Sequence, residues 1–366
     1  MKERSSVGVI VVATVILGIL AFSPSRDAVT EVNGPSITIK DMVGRKVEIP
    51  KKVNEIIALG SGSLRLVTLL ESTDKVIGVE LPEKKDPDKP YQYAYPELSE
   101  LPSIGPPHGG DAELLAARDP DVIFYTRGDY AGGIAAGEAR NLQNKTGIPV
   151  LGIIVGDLSE DRVSFYNALE LMGKVMNKEK RAEEVTEYIE STIKDLENRT
   201  REIERENKPK TYVGGTAHHG SHGIPSTYSR YTPFEFVNAR NVAGGLGTEW
   251  ATVSKEKILE WDPDIIFIDE HGYSLVMQNL KKPEYKILKA VQNEDLYGIL
   301  PYKSYNRNYG SILANSYYIG KVLYPEKFSD IDPEEKADKI YKKLLGAPVY
   351  EEMKEIFGGF KKLELP

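Results

Sequence analysis

One pattern occurs twice in this chain. Residues 113–124, Glu-Leu-Leu-Ala-Ala-Arg-Asp-Pro-Asp-Val-Ile-Phe, recur as residues 256–267, Glu-Lys-Ile-Leu-Glu-Trp-Asp-Pro-Asp-Ile-Ile-Phe. Each copy reads as the end of a helix, a D-P-D turn and a buried strand. Pro120 and Pro263 stop the helix because proline disfavours the α region for the residue before it. Val122-Ile123-Phe124 and Ile265-Ile266-Phe267 have the β-branched and aromatic character of a parallel strand buried on both faces. Two such units in 366 residues predict two related α/β lobes, and a cleft between similar lobes can hold a ligand. The fold class expected is therefore α/β.

Length fits two domains, at roughly 100–200 residues per domain. With 40% hydrophobic and 28% charged residues the composition is that of a globular protein, and a net charge of −8 argues against a nucleic-acid partner, which needs a basic face. The absence of cysteine excludes disulfides, thiolate metal sites and cysteine nucleophiles. At the N-terminus, Lys2 and Arg4 precede an apolar run from Val7 to Phe22, followed by Ser23-Pro24-Ser25. This is the layout of an export signal. The run is slightly short of the ~20 residues of a relaxed membrane span, so a cleaved signal and an uncleaved anchor are both open. Either way the chain is expected to be exported and extracytoplasmic. Residues 1–23 are read as signal or anchor and 24–36 as a linker.

Residues 37–158 form the expected first lobe. It opens with a hairpin around Gly44 and continues with a strand Glu55–Leu59 running into Gly60-Ser61-Gly62-Ser63, and then a helix. Residues 82–107, rich in Pro, Lys and Tyr, predict a long surface excursion. The segment 159–208 is helical: Val185, Ile189, Ile193, Leu196 and Ile203 recur at helical spacing. A helix over 179–206 would be about 42 Å long at ~1.5 Å per residue, enough for a strut between lobes. Pro209 ends it, and residues 209–366 make the second lobe, with a strand near Leu296–Leu300 and a helix Ser311–Leu323.

Several stretches resemble the helical-backbone class of ABC-transporter substrate-binding proteins, which take ferric siderophores, haem, vitamin B12 and related ligands. They are ITIKDMVGRKVEIPKKVNEIIAL, PSIGPPHGGDAELLAARDPDVIF, VSKEKILEWDPDIIFID and LYGILPYKSYNRNYGSILANSYYIGKVLYPEKF. The resemblance covers roughly residues 37–330. It implies two Rossmann-like lobes joined by a single long backbone helix, with the ligand cleft between them and little hinge motion. The stretch TAHHGSHGIPSTYSRYTPFEFVNARNVAGG looks closest to iron-complex binders. The expected partners are an ABC permease and its ATPase, with no cofactor besides the bound ligand, a ferric complex. In this class an acidic residue on each lobe docks on the permease, and the matching positions are Glu113 and Glu256. Exposed charges of this kind steer encounter more than they add affinity.

The residues themselves place a ligand site in the loops after strands, where α/β sheets hold ligands. His218, His219 and His222 could ligate a metal, since neutral imidazole suits Fe, Zn or Cu, although loop histidines often only bond nearby backbone. Tyr228, Arg230, Tyr231 and Trp250 follow, and Tyr302, Tyr305 and Arg307 repeat that composition. Aromatic planes suit catecholate or planar ligands, and arginine binds oxyanions bidentately. From the first lobe come Ser61 and Ser63, at a turn whose free N–H groups favour anions, with His108, Arg127 and Tyr130. Phosphate-loop, HExxH and nucleophile-elbow motifs are absent from the sequence, so a binding protein is expected rather than an enzyme. A ferric siderophore leads. Corrinoid and molybdate or tungstate are the alternatives within the class, and a two-lobed metal chelatase is the alternative outside it.

Overall fold

The computed structural model describes residues 34–85, 87–126 and 136–365. The apolar run Val7–Phe22 lies outside the described residues. No helix among the described residues is long and apolar enough to cross a membrane.

The first lobe opens with the antiparallel hairpin β1 (Ser36–Lys40) and β2 (Lys46–Pro50), in register Ile37 to Ile49 and Ile39 to Val47. Asp41 holds the hairpin to the sheet, accepting the N–H groups of Arg45 and Gly152. Strands β3 (Ile56–Leu59), β4 (Val122–Tyr125) and β5 (Val150–Gly152) run parallel in that spatial order. Parallel bridges from Ile56 to Val76 and from Val79 to Ser103 widen the sheet. The lobe's helices are α1 (Ser63–Leu69), α2 (Pro90–Ala94), α3 (Ala112–Arg118) and α4 (Ala136–Thr146). The predicted surface excursion over 82–107 is instead packed down: Lys89, Tyr91, Gln92, Leu98 and Ile104 are all buried. The apolar faces of Tyr91 and Leu98 join the core there.

Two helices make the crossover, α5 (Arg162–Met176) and α6 (Glu179–Thr200). Asn177, at φ 58°, separates them, and Gly173 lets Ala182 approach closely. At 22 residues, α6 is about 33 Å long at ~1.5 Å per residue, shorter than the periodicity predicts. It buries Val185, Ile189, Ile193 and Leu196 but stops at Thr200, whose carbonyl accepts from the Asn238 side chain.

The second lobe contains β6 (Lys210–Gly214), β7 (Ser226–Tyr228), α7 (Thr232–Phe236), β8 (Arg240–Asn241), β9 (Trp250–Thr252), α8 (Lys255–Trp261) and β10 (Ile265–Asp269). It continues with α9 (Tyr273–Leu280), α10 (Lys289–Gln292), β11 (Leu296–Ile299), β12 (Lys303–Ser304), β13 (Asn306–Arg307), α11 (Tyr309–Leu323), α12 (Pro333–Leu345), α13 (Tyr350–Phe357) and β14 (Lys361–Lys362). Its main sheet has the order β14-β11-β10-β6-β8, parallel except for β14. Helix α6 packs on α5 within the crossover and on α7 and α11 of the second lobe.

Side chains alternate across each sheet, as strand geometry requires. Ile56, Ala58 and Phe124 face one apolar core together with Val213 and Phe267 of the other lobe, Leu313 of α11 and Tyr341 of α12. Ile57, Leu59 and Ile123 face the first lobe's own outer layer. Tyr212, Ile266 and Ile268 do the same in the second. The shared core joins the lobes and leaves the carboxyl ends of both sheets facing the cleft.

Candidate functional site

The repeat sets the frame of the cleft. Both copies end their helix on an aspartate in the left-handed region, Asp119 at φ 49° and Asp262 at φ 43°. The second aspartate of each D-P-D then ties its strand to the start of the neighbouring parallel strand, β3 in the first lobe and β6 in the second. Asp121 accepts the N–H groups of Asn54 and Glu55, and Asp264 accepts that of Lys210. Glu113 and Glu256 are exposed in the first turns of α3 and α8, whose N-caps are Asp111 and Ser254. The Glu256 carboxyl is held below the usual carboxylate range by its own backbone N–H, and then by Ser254 and Lys255.

From the first lobe, β3 runs into the Gly60–Ser63 turn. Gly60 lies against the Thr126 carbonyl so closely that a Cβ would stand 1.6 Å from its oxygen. Ser61 and Ser63 are buried, and the Ser63 hydroxyl has no hydrogen-bond partner among the described residues. The β12–β13 hairpin of the second lobe crosses to this side and is bound at successive residues. The Ser304 carbonyl accepts from Arg65 at 2.9 Å and its hydroxyl donates to Asp88 at 2.5 Å. The Tyr305 hydroxyl donates to Glu80 at 2.9 Å and accepts the His108 N–H at 3.1 Å, with the two rings 5.1 Å apart. Asn306 donates to the Ser61 carbonyl at 2.8 Å. Arg307, 6% exposed, pairs with Glu249 and lies 4.0 Å from Asp157.

From the second lobe, the loop after β6 brings the histidines to Trp250. His218 stacks on the indole at 4.1 Å between centroids and 17° between planes, and His222 lies 5.4 Å from it. The His222 Nε2 bonds to the His218 carbonyl at 2.7 Å, while His219 is exposed. Among the described residues no three imidazole or carboxylate groups converge as a metal site; His218 and His222 gather on the indole rather than around a centre. Tyr228, Tyr231 and Tyr302 are 3%, 0% and 1% exposed and pack on one another in the core. Arg230 is exposed and paired with Glu160 and Glu235. Arg127 and Tyr130 lie outside the described residues.

Four cleft residues escape a reading of the sequence alone: Glu80, Asp88, Glu249 and His271. His271 accepts or donates to the Ser221 hydroxyl at 2.9 Å. Burial lowers its pKa and Asp88 partly offsets that. Burial would raise Asp88, but Lys89 and the Ser304 hydroxyl outweigh it and leave the carboxyl below its ordinary value. His271 lies two residues past the second repeat strand, which is the one signal that could have found it.

The model of a family described as periplasmic binding protein matches residues 56–302. The chain belongs to that family. As a periplasmic binding protein it is an extracytoplasmic substrate-binding component of an ABC importer, and its family and neighbours are solute-binding proteins rather than enzymes. It is 26% identical over 352 residues to the molybdate-binding protein MolA of Haemophilus influenzae, covering 90% of this chain and 94% of that protein. It is 21% identical over 304 residues to the petrobactin-binding protein YclQ of Bacillus subtilis, covering 80% and 89%. The solved structure of Haemophilus influenzae MolA bound to molybdate matches it with a TM-score of 0.68 at 23% identity, over 85% of this chain and 98% of that one. That likeness concerns the fold, two lobes around a cleft.

Proposed function

We propose that this binding protein captures a small oxyanion of the molybdate or tungstate class and delivers it to an ABC permease and its ATPase. The observation that carries this reading is the burial of Tyr228, Tyr231 and Tyr302. Those rings belong to the core, so they offer no platform to a catecholate or a corrin. Partly or fully exposed donors at the cleft include His108, His218, His222, Trp250 and Tyr305, and the carboxylates likewise exposed there, Asp88 and Glu249, are already paired with Lys89 and Arg307. A small anion needs a tight set of donors, whereas a siderophore needs a wide apolar wall. The similarity to a molybdate-binding protein supports the same choice.

The ferric-siderophore reading keeps one specific support, the part-exposed His218–Trp250 stack, with the petrobactin-binding relative beside it. Calorimetric titration of the purified protein with molybdate, tungstate, sulfate, a ferric catecholate siderophore and cobalamin separates the two. Saturable one-to-one binding of molybdate or tungstate, with no response to the siderophore, is the expected result. Siderophore binding in the absence of any oxyanion response would reverse the assignment.

A further inference from the structure

Glu80 ends the segment that lies beside β3, and it is 3% exposed. Its Oε2 accepts the Gly60 N–H at 3.1 Å and the Tyr305 hydroxyl at 2.9 Å, and its Oε1 accepts the Gly109 N–H at 3.2 Å. Gly60 begins the strand-to-helix turn, and Gly109 lies in the loop before α3. Backbone N–H groups at such turns are the donors with which α/β proteins hold anions. Here the chain's own carboxylate already sits on them. Tyr305 comes from the opposite lobe and also receives the His108 N–H. Both residues are in the left-handed backbone region, at φ 59° and 65°, a conformation uncommon for side-chain-bearing residues. One carboxylate therefore organises a turn and a loop of the first lobe and the hairpin of the second.

We propose that Glu80 is a specificity-determining residue of the cleft, which admits a dianionic oxyanion only together with one proton taken up by this carboxylate. The proposal rests on the oxyanion reading above. A second negative charge beside a buried carboxylate is repelled strongly in a poorly polarisable interior. Protonation removes that repulsion and turns one carboxyl oxygen into a donor. Burial pushes Glu80 up to about 7, the bonds from Tyr305, Gly109 and Gly60 hold it down, and Glu83 adds to the rise. The other ionisable groups around it are Glu83, which Lys89 faces at 3.7 Å, His108, Tyr305 and Tyr125, whose hydroxyl bonds to the His108 carbonyl. Arg307 is committed to Glu249 and Asp157. Ordinary histidines, near 6.5, are mostly neutral above pH 7.5. Asp269 and Glu270 are also raised by burial, but they bond to Tyr302, His271 and Gly359 rather than to the Glu80 cluster, so the Glu80→Gln variant separates the Glu80 proton from theirs.

The test is calorimetry with sodium molybdate from pH 7.5 to 9, in HEPES and in Tris, whose different ionisation heats report proton uptake. About one proton should be taken up per molybdate, with Kd rising by up to about tenfold per pH unit. Glu80→Gln should bind molybdate with little pH dependence and no uptake, its folding checked by circular dichroism. Tyr305→Phe keeps the carboxylate but removes a donor to it, so the fall in affinity should move to higher pH. Wild-type binding without proton uptake, or an unchanged pH profile in Glu80→Gln, would overturn the proposal while leaving the oxyanion reading standing. No binding of molybdate at any pH would remove both.

Discussion

The two aspartates that end the repeat helices occupy the same backbone conformation but do different work. Asp119, at φ 49°, is exposed, and its conformation is one that glycine adopts at no steric cost. Asp262, at φ 43°, accepts the Lys289 N–H at 3.0 Å and faces the Lys289 ammonium at 3.3 Å. Asp119→Gly should therefore stabilise the protein by about 0.5 kcal/mol, as relief of the left-handed strain outweighs the extra freedom of the unfolded chain. Asp262→Gly should destabilise it by about 0.5–1 kcal/mol, because a charge-assisted bond is lost. Urea denaturation of the two variants side by side measures the difference, and equal effects would contradict it. The repeat was legible because proline and aspartate carry fixed local meanings. The fate of the tyrosines was not, because Tyr302 in the core and Tyr305 at the cleft have the same composition and nearly the same neighbours in sequence.

At the scale of elements, the first turns of α3 and α8 offer matched carboxylates, but their surroundings differ. Lys255 lies 3.8 Å from Glu256, whereas Glu113 has no ion pair among the described residues. If these helices meet the permease, Glu113→Ala should lower stimulation of the cognate ATPase more than Glu256→Ala, and the double variant should abolish it. Ligand affinity measured in solution should be unchanged in all three; a loss would place the residues in the cleft instead. A second element contact is structural. Arg181, in the first turn of α6, donates to the Leu69 carbonyl at the end of α1 and to Lys343 and Leu344 at the end of α12. It also meets Glu71 at 3.1 Å. One guanidinium thus satisfies the open carbonyl ends of two helices while anchoring the crossover helix. Arg181→Ala should cost about 2–3 kcal/mol by chemical denaturation. Arg181→Lys should recover less than half, since an ammonium cannot span that fork of acceptors.

For the whole molecule, the shared apolar core decides behaviour. Two lobes, their parallel sheets and the crossover helix could be anticipated from periodicity, since each is set by residues close in sequence. What binds the lobes together could not. Asp88 meets Ser304, and Glu80 meets Tyr305, across more than 200 positions, and no local pattern marks either pair. The molecule also holds buried carboxyls raised by that burial: Glu80, between the lobes, and Asp269, inside the second lobe, to about 7, and Glu270 of the second lobe to about 9. A carboxyl whose folded pKa exceeds its unfolded value favours folding while it stays protonated. Its contribution is present in full below about pH 4 and is lost as pH rises through the folded value. Asp330, held at about 2 by Arg199, acts in the opposite sense, but it is exposed and its effect falls below pH 4. Melting temperature should therefore decline by several degrees between pH 5.5 and 9, with all three carboxyls contributing below about 7 and Glu270 alone from there to about 9. Glu270 bonds to the Gly359 N–H through Oε2, while its Oε1 has no hydrogen-bond partner among the described residues. Glu270→Gln retains an acceptor for Gly359 and removes the charge, so it should leave the melting temperature at about pH 4 nearly unchanged, raise it progressively above that pH, and flatten the decline from pH 7.5 to 9. A wild-type melting temperature that rose over that interval, or a Glu270→Gln profile parallel to the wild type, would refute this account of the buried carboxyls.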